Sequence, residues 1–513
     1  MSIIVETEQG SLKGIDKGDY QEFRGIPYAK PPLGKLRFKA PESPEPWEGV
    51  YNANRFSDAC PQEEISIFGI GNTSEDCLAL NIWTPAVDDK KRPVMVWLHG
   101  GGYLTGAGSQ LIYRGRDLAR NGDVVVVTIN YRLGALGFLH LEGIIDDAYG
   151  ACNNNGLLDQ IAALRWIQKN IAAFGGDGEE ITLFGESAGA MSVATLLACP
   201  AAKGLFKRAI LQSGSGDHVL TKKDAKKITK TFLKAAEVNP KEPEKLWQLD
   251  QNQIIKAQRA CSKIVIDRGQ HRQPVTQIGM AFMPLVDGDL LPQAPISALE
   301  DGEAAEIPLL IGYTRDEWNL FLHTPGPDGA SLAKTKYKDL DKLGLINLCE
   351  RGLPSLGEKT ANLYEQVLRS HNPEADYIDM YSAFETDRMF RIPSLRLAAA
   401  QSQHSDQVYA FGFSWDRGVF GACHAVDIPF VFGGVESGVG QILTGGGEDS
   451  KKLSEKVQAC WIAFARSGNP GTDAVGAWPN YQTKTRPVMI FDTDVRVESD
   501  PARETREHWE GIL

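Results

Sequence analysis

Apolar and polar residues come in blocks along the chain. Short, continuous apolar runs of strand length occur at PVMVWL (93–98), DVVVVTI (123–129), EITLF (180–184), IPLLIGY (307–313) and VYAFGF (408–413). Runs this rich in β-branched residues, with no polar alternation, predict strands buried on both faces, the habit of a parallel sheet covered by helices. Between the second and third runs, Leu157, Ile161, Leu164, Ile167 and Ile171 are spaced as one apolar face of a helix. Gly175 and Gly176 follow, where a left-handed C-cap would end it. Strands alternating with helices predict an α/β fold: a central, mostly parallel sheet flanked by helices. Two stretches, about 221–265 and 330–400, are rich in Lys and Glu and helical in pattern. In such a fold they are expected to be insertions between strands, over the sheet edge where ligands bind.

Composition narrows the function classes. The chain has 513 residues, 42% hydrophobic and 23% charged, ordinary for a globular protein and long enough to bury a large core. No repeat or linker interrupts it, so residues 1–513 are read as one domain. The net charge of −12 comes without a basic patch, which argues against a nucleic-acid partner. The run Lys222-Lys223-Asp224-Ala225-Lys226-Lys227 reads as a solvated helix face. No apolar stretch is long enough for a membrane span, and the start, MSIIVETEQGSLKG, does not have the pattern of a signal peptide. A cytoplasmic location is therefore expected, or secretion if a presequence has been removed. The eight cysteines are scattered and include no C-x-x-C, so neither a metal site nor redox chemistry is expected.

The chemistry is carried by glycine-rich turns. Gly185-Glu186-Ser187-Ala188-Gly189 follows a strand and precedes AGAMSVATLLA, a good helix. That setting is what a nucleophile elbow needs, because the strained turn lifts Ser187 clear and small residues on either side avoid collision. By itself G-x-S-x-G recurs by chance, and a plain small-residue turn is the competing reading. A second piece, HGGGY (99–103), directly follows the first strand run. Acyl transfer needs N–H groups aimed at the oxyanion of the tetrahedral intermediate. Gly101, Gly102 and Ala188, the residue after the serine, could supply them. This loop lacks the phosphate-cradle pattern G-x-x-x-x-G-K-[ST]. His99 precedes the serine and more readily shapes the loop than serves as base. An acid should end a later strand, and IPLLIGYTRDEW offers Asp316 and Glu317. Of the later histidines at 323, 371, 404, 424 and 508, His424 in GACHAVDIPFVFG best fits a base on a loop beyond the last strands, whereas 371, 404 and 508 look like surface residues.

With these motifs in place, the chain resembles the type-B carboxylesterases, the α/β-hydrolases that include cholinesterases and bacterial para-nitrobenzyl esterases. The likeness runs from FRGIPYAKPPLGKLRF (23–38) through SEDCLALNIWTP (74–85), HGGGY, NYRLGALGF (130–138), FGESAGA, AILQSGS (209–215) and IGYTRDE to the His424 segment. The resemblance implies Ser187 as nucleophile, His424 as base and then acid, and Glu317 rather than Asp316 as the orienting acid. It places Gly101, Gly102 and Ala188 in the oxyanion hole, and Ser213 and Glu186 beside the triad. A buried Glu186 would favour the imidazolium formed during catalysis. Arg37 with Glu75, and Arg132 with Asp159, look like the family's structural ion pairs. Cys60 and Cys77 match a family disulfide that would form only in an oxidising compartment.

Departures sharpen the expectation. The family usually has glycine after the Asp-Glu pair, where this chain has Trp318, and a large aromatic there could reshape the pocket. The stretch between Cys60 and Cys77, PQEEISIFGIGNTSED, has no tryptophan to hold a choline cation, which argues against a cholinesterase. The expected protein is a serine carboxylesterase acting on small to medium esters without a cofactor, as a monomer or weak homo-oligomer. The glycine triplet adds, by resemblance, acceptance of bulky alcohol esters. A lipase and a non-catalytic cholinesterase-like binding protein are the rival readings.

Overall fold

A computed structural model describes residues 1–63, 69–268, 271–274, 280–325 and 330–512. Part of the stretch between Cys60 and Cys77, residues 64–68, lies outside the described residues. The strands in chain order are β1 (Ser2–Thr7), β2 (Gly10–Asp16), β3 (Gln21–Pro27), β4 (Val50–Asn52), β5 (Ala79–Thr84), β6 (Arg92–Leu98), β7 (Val125–Ile129) and β8 (Gly176–Glu186). They continue with β9 (Arg208–Gln212), β10 (Val265–Arg268), β11 (His271–Pro274), β12 (Leu309–Thr314), β13 (Val408–Phe413), β14 (Pro487–Phe491) and β15 (Arg496–Ser499). One large sheet has the order β1-β2-β3-β5-β7-β6-β8-β9-β12-β13-β14-β15, and β10 and β11 form a separate hairpin. From β7 to β14 every neighbouring pair is parallel, while β1, β2, β3 and β5 on one side and β15 on the other add antiparallel edges.

The apolar runs are these parallel strands. Val94, Val96 and Leu98 of β6 enter one buried cluster, and Met95 and Trp97 enter the other, so alternate side chains feed a core on each face of the sheet. The helix expected between β7 and β8 spans Asn155–Asn170 and tightens into a 3-10 turn at Ile171–Phe174. Gly175 caps that turn with φ 78°, and Gly176 already belongs to β8. β7 starts at Val125, later than the apolar run suggests, because Asp123 is spent as the left-handed cap of helix Arg116–Gly122.

The two Lys/Glu-rich stretches are helical. Lys222–Ala235 and Gln251–Ala260 occupy the first, and Lys342–Gly352, Gly357–His371, Tyr377–Thr386 and Ile392–Gln401 the second. The second stretch contributes to a smaller core that includes Leu345, Tyr364, Phe384 and Trp509. Both anticipated ion pairs form and are buried: Arg37 Nε donates to Glu75 at 2.7 Å, and Arg132 Nη2 to Asp159 at 2.7 Å. Cys60 and Cys77 are buried free thiols, and a hydrogen bond with Cys60 raises the Cys77 thiol pKa further than burial alone would. Among the described residues no helix is long and apolar enough to cross a membrane.

Candidate active site

Ser187, the glycine loop, Ser213 and Glu317 all follow the carboxyl ends of adjacent parallel strands, the edge where open α/β sheets bind ligands. β6 ends at Leu98 and β8 at Glu186, with Leu98 opposite Gly185. β9 ends opposite Glu186 at Gln212, and β12 ends at Thr314. His424 comes from the connection between β13 and β14. The order along the chain is serine, acid, histidine.

The serine turn is strained as expected. Ser187 has φ 55° and ψ −126°, and its N–H donates to the Gln212 carbonyl at 2.9 Å. A side chain at Gly189 would put its Cβ 2.0 Å from the Leu98 carbonyl oxygen, and one at Gly185 would sit 2.6 Å from the Gly189 carbonyl carbon. Both glycines are therefore required by close backbone approach. The turn opens onto helix Ala188–Leu197, whose first N–H groups have no partner within the helix. Gly101 has φ 108°, and a Cβ there would meet the Thr105 carbonyl oxygen at 2.2 Å. The glycine loop is thereby held beside the serine, close enough that a Cβ on Gly100 would lie 3.0 Å from Ser187 Cβ. His99 is buried and turned into this loop, its Nδ1 2.8 Å from the Gly100 carbonyl and its ring stacked on Tyr131. Burial lowers its pKa to about 4. It supports the loop and does not face the serine as a base.

Of the two candidate acids, Glu317 is the one that meets His424. Glu317 is fully buried, and its Oε2 lies 2.6 Å from His424 Nδ1. The Thr314 N–H donates to its other oxygen at 2.8 Å, and the His424 N–H donates to its backbone carbonyl at 3.2 Å. Asp316 points elsewhere, pairing with Arg315 at 2.8 Å. With Glu317 accepting at Nδ1, the proton belongs on that nitrogen, which leaves Nε2 to meet another group.

At Nε2 stands Glu186, which the resemblance had set beside the triad. No hydrogen bond joins Ser187 Oγ to His424 among the described residues. Glu186 Oε1 stands 2.9 Å from Nε2, as an ion-pair contact rather than an aligned hydrogen bond. Glu186 is 3% exposed, so the residue beside Ser187 is a buried carboxylate. His424 thus lies between two carboxylates. Burial alone would lower its pKa, but the charges and contacts of Glu186 and then Glu317 outweigh it and lift the pKa to about 10.

Other neighbours escape a reading from motifs. Asp427, three residues beyond His424, is fully buried and accepts a hydrogen bond from Gln212 Nε2 at 2.8 Å. Its Oδ1 has no partner among the described residues. Burial, reinforced by Glu186, raises its pKa to about 7 against the opposing Gln212 bond. Ser213, which the resemblance did set beside the triad, is buried, with φ 51° and a hydroxyl that has no partner among the described residues. Phe321 and Phe390 pack on the His424 ring with centroids 5.2 and 4.6 Å away. Phe321 remains 39% exposed, an apolar surface open beside the histidine.

The model of the Carboxylesterase family matches residues 1–509. A para-nitrobenzyl esterase of Bacillus subtilis (strain 168) is 41% identical over 514 residues, with 98% of both chains covered. A cholinesterase of Mus musculus is 34% identical, with 96% of this chain and 83% of that one covered. A solved carboxylesterase from Geobacillus stearothermophilus superposes with a TM-score of 0.86 at 38% identity, covering 99% of each chain. The chain belongs to the carboxylesterase family and is a carboxylic ester hydrolase.

Proposed function

We propose that the protein hydrolyses small to medium carboxylic esters through an acyl-enzyme formed on Ser187. Ser187 Oγ attacks the ester carbonyl while His424 Nε2 takes its proton. Glu317 holds the imidazole through Nδ1, and the N–H groups of Gly101, Gly102 and Ala188 receive the oxyanion. The alcohol leaves with the proton from His424. Water, deprotonated by the same imidazole, then attacks the acyl group, and the acid departs as Ser187 is restored. The observation carrying this reading is the 2.6 Å contact from Glu317 to His424 beside a serine held at φ 55° on the elbow.

Glu186 has a second task in this cycle. Its carboxylate stabilises the imidazolium that appears when Ser187 loses its proton. In the free enzyme the same contact retains a proton on His424, so the base becomes competent only after that proton has left. The missing Ser187–His424 hydrogen bond fits a resting state in which Nε2 faces Glu186, since such contacts often tighten only once substrate is bound.

Neutral esters are the substrate class this site favours. Of the lining groups, Phe321 offers an exposed aromatic face beside His424, and the stretch 61–76 contains no tryptophan for a choline cation. The test is Ser187→Ala on para-nitrophenyl acetate. A fall in kcat of roughly 10⁴-fold or more is expected, as for nucleophile removal in related triads. A loss well short of that would overturn the assignment.

A further inference from the structure

Trp318 immediately follows Glu317, the candidate orienting acid, at a position where the resemblance led one to expect glycine. Its φ of −71° is ordinary helical backbone, so the position has no conformational need for glycine. Its ring lies 4.7 Å from Phe321 and 6.5 Å from Phe390 between centroids. Those two rings are nearly parallel, 5° apart in plane and 6.2 Å between centroids, and both contact the His424 imidazole. The Trp318 N–H also donates to Thr386 Oγ1 at 3.2 Å. Thr386 ends helix Tyr377–Thr386, and the single π turn Asp387–Arg391 that follows carries Phe390. Trp318 therefore ties together, by ring and by backbone, the two segments that present aromatic faces to the candidate base.

We propose that Trp318 is a positioning residue that locks Phe321 and Phe390 into an aromatic clamp on His424, keeping the imidazole aligned and favouring its charged form. The inference rests on His424 being the base of the proposed cycle. Aromatic faces attract a cation within about 6 Å of the ring centre, and both phenylalanines lie within that reach. The charged groups facing His424 are Glu186 at the end of β8, Glu317 after β12 and Asp427 on its own segment. The two phenylalanine-bearing segments add no unpaired charge against it. On the π turn, Asp387 pairs with Arg391 and Arg388 with Glu385, while Asp316 beside Trp318 pairs with Arg315. On the short helix Asn319–His323, which carries Phe321, His323 lies near Asp379. The clamp thus acts in addition to the carboxylates. Losing it should lower the His424 pKa and slow proton transfer.

The experiment compares Trp318→Gly, Trp318→Leu and Trp318→Phe by steady-state kinetics on para-nitrophenyl acetate across pH, with His424→Asn as a control. Leucine preserves apolar bulk, so a folding failure of the glycine variant leaves the test intact. Leucine and glycine are expected to lower the high-pH plateau of kcat about threefold to tenfold, to move the acid limb of the rate profile to lower pH and to leave KM nearly unchanged. Phenylalanine is expected to restore both features. If leucine and glycine change only KM or thermal stability, while kcat and the acid limb match the parent, the clamp is overturned and Trp318 is pocket wall or packing. If His424→Asn is inactive in that case, the proposed cycle survives the loss of the clamp. If His424→Asn keeps full activity, the cycle and the clamp both fall.

Discussion

Glu186 is an interchangeable position of G-x-S-x-G by motif, and only the resemblance set it beside the triad as a carboxylate that would favour the imidazolium. In the structure it is buried against His424 Nε2 and is the leading charge raising that group. A base must be neutral to accept the serine proton, so the rate should rise with pH through the His424 pKa. Removing the Glu186 charge destabilises the imidazolium, lowers that pKa and weakens the transition state. Glu186→Gln is therefore expected to shift the acid limb of kcat/KM to lower pH and to reduce the high-pH plateau of kcat by about tenfold, the worth of roughly 1.4 kcal/mol; a pH-rate profile on an activated ester checks both. Asp427 gives a second test, read in stability. Its folded pKa is raised from 3.8 to about 7, so between those values the folded protein holds a proton that the unfolded chain has lost. Stability then falls as pH rises through that window. Asp427→Asn keeps an acceptor for Gln212 and removes the ionisation. Its melting temperature should gain on the parent as pH rises from mildly acidic to neutral, and equal shifts at both ends would contradict the assignment.

Among the elements, the elbow between β8 and its helix was the most legible. Its requirements are local: a strand, a strained residue, small neighbours and a helix start, all within a dozen positions of the sequence. The structure adds what the glycines avoid, the carbonyl of Leu98 on the neighbouring strand. Gly189→Ala would drive a Cβ to 2.0 Å from that oxygen. The expected result is a loss of about 1–3 kcal/mol in stability, the usual cost of overpacking, together with a sharp fall in kcat, seen by denaturant melts and ester turnover. The π turn was not legible. Its one-residue excess leaves no mark in a helical pattern, and Phe390 reads as an ordinary core residue of RMFRIPSL until the fold brings it against Phe321 and His424. The contact between Gln212 and Asp427 was hidden for the same reason, since it joins the end of β9 to a loop far along the chain.

Over the whole molecule, the fold class could be read because the parallel strands are buried on both faces and so appear as unbroken apolar runs. The antiparallel edge at β1 and β2 is half exposed, and its mixed residues gave no comparable signal. Two buried ion pairs help join distant parts of this scaffold. Arg132 is tied to Asp159 by its backbone N–H, Nε and Nη2, and donates to the Lys39 carbonyl as well. Arg132→Ala leaves Asp159 buried and unpaired, which should cost about 3–5 kcal/mol. Thermal unfolding should show that loss, while kcat per folded molecule stays near the parent value. The most direct measurement for the proposed cycle as a whole is covalent labelling. After reaction with diethyl para-nitrophenyl phosphate, peptide mass mapping should find one diethylphosphoryl group, on Ser187, in step with complete loss of esterase activity, and neither event in Ser187→Ala. Labelling at another residue, or full inactivation of the protein with Ser187 unmodified, would contradict it.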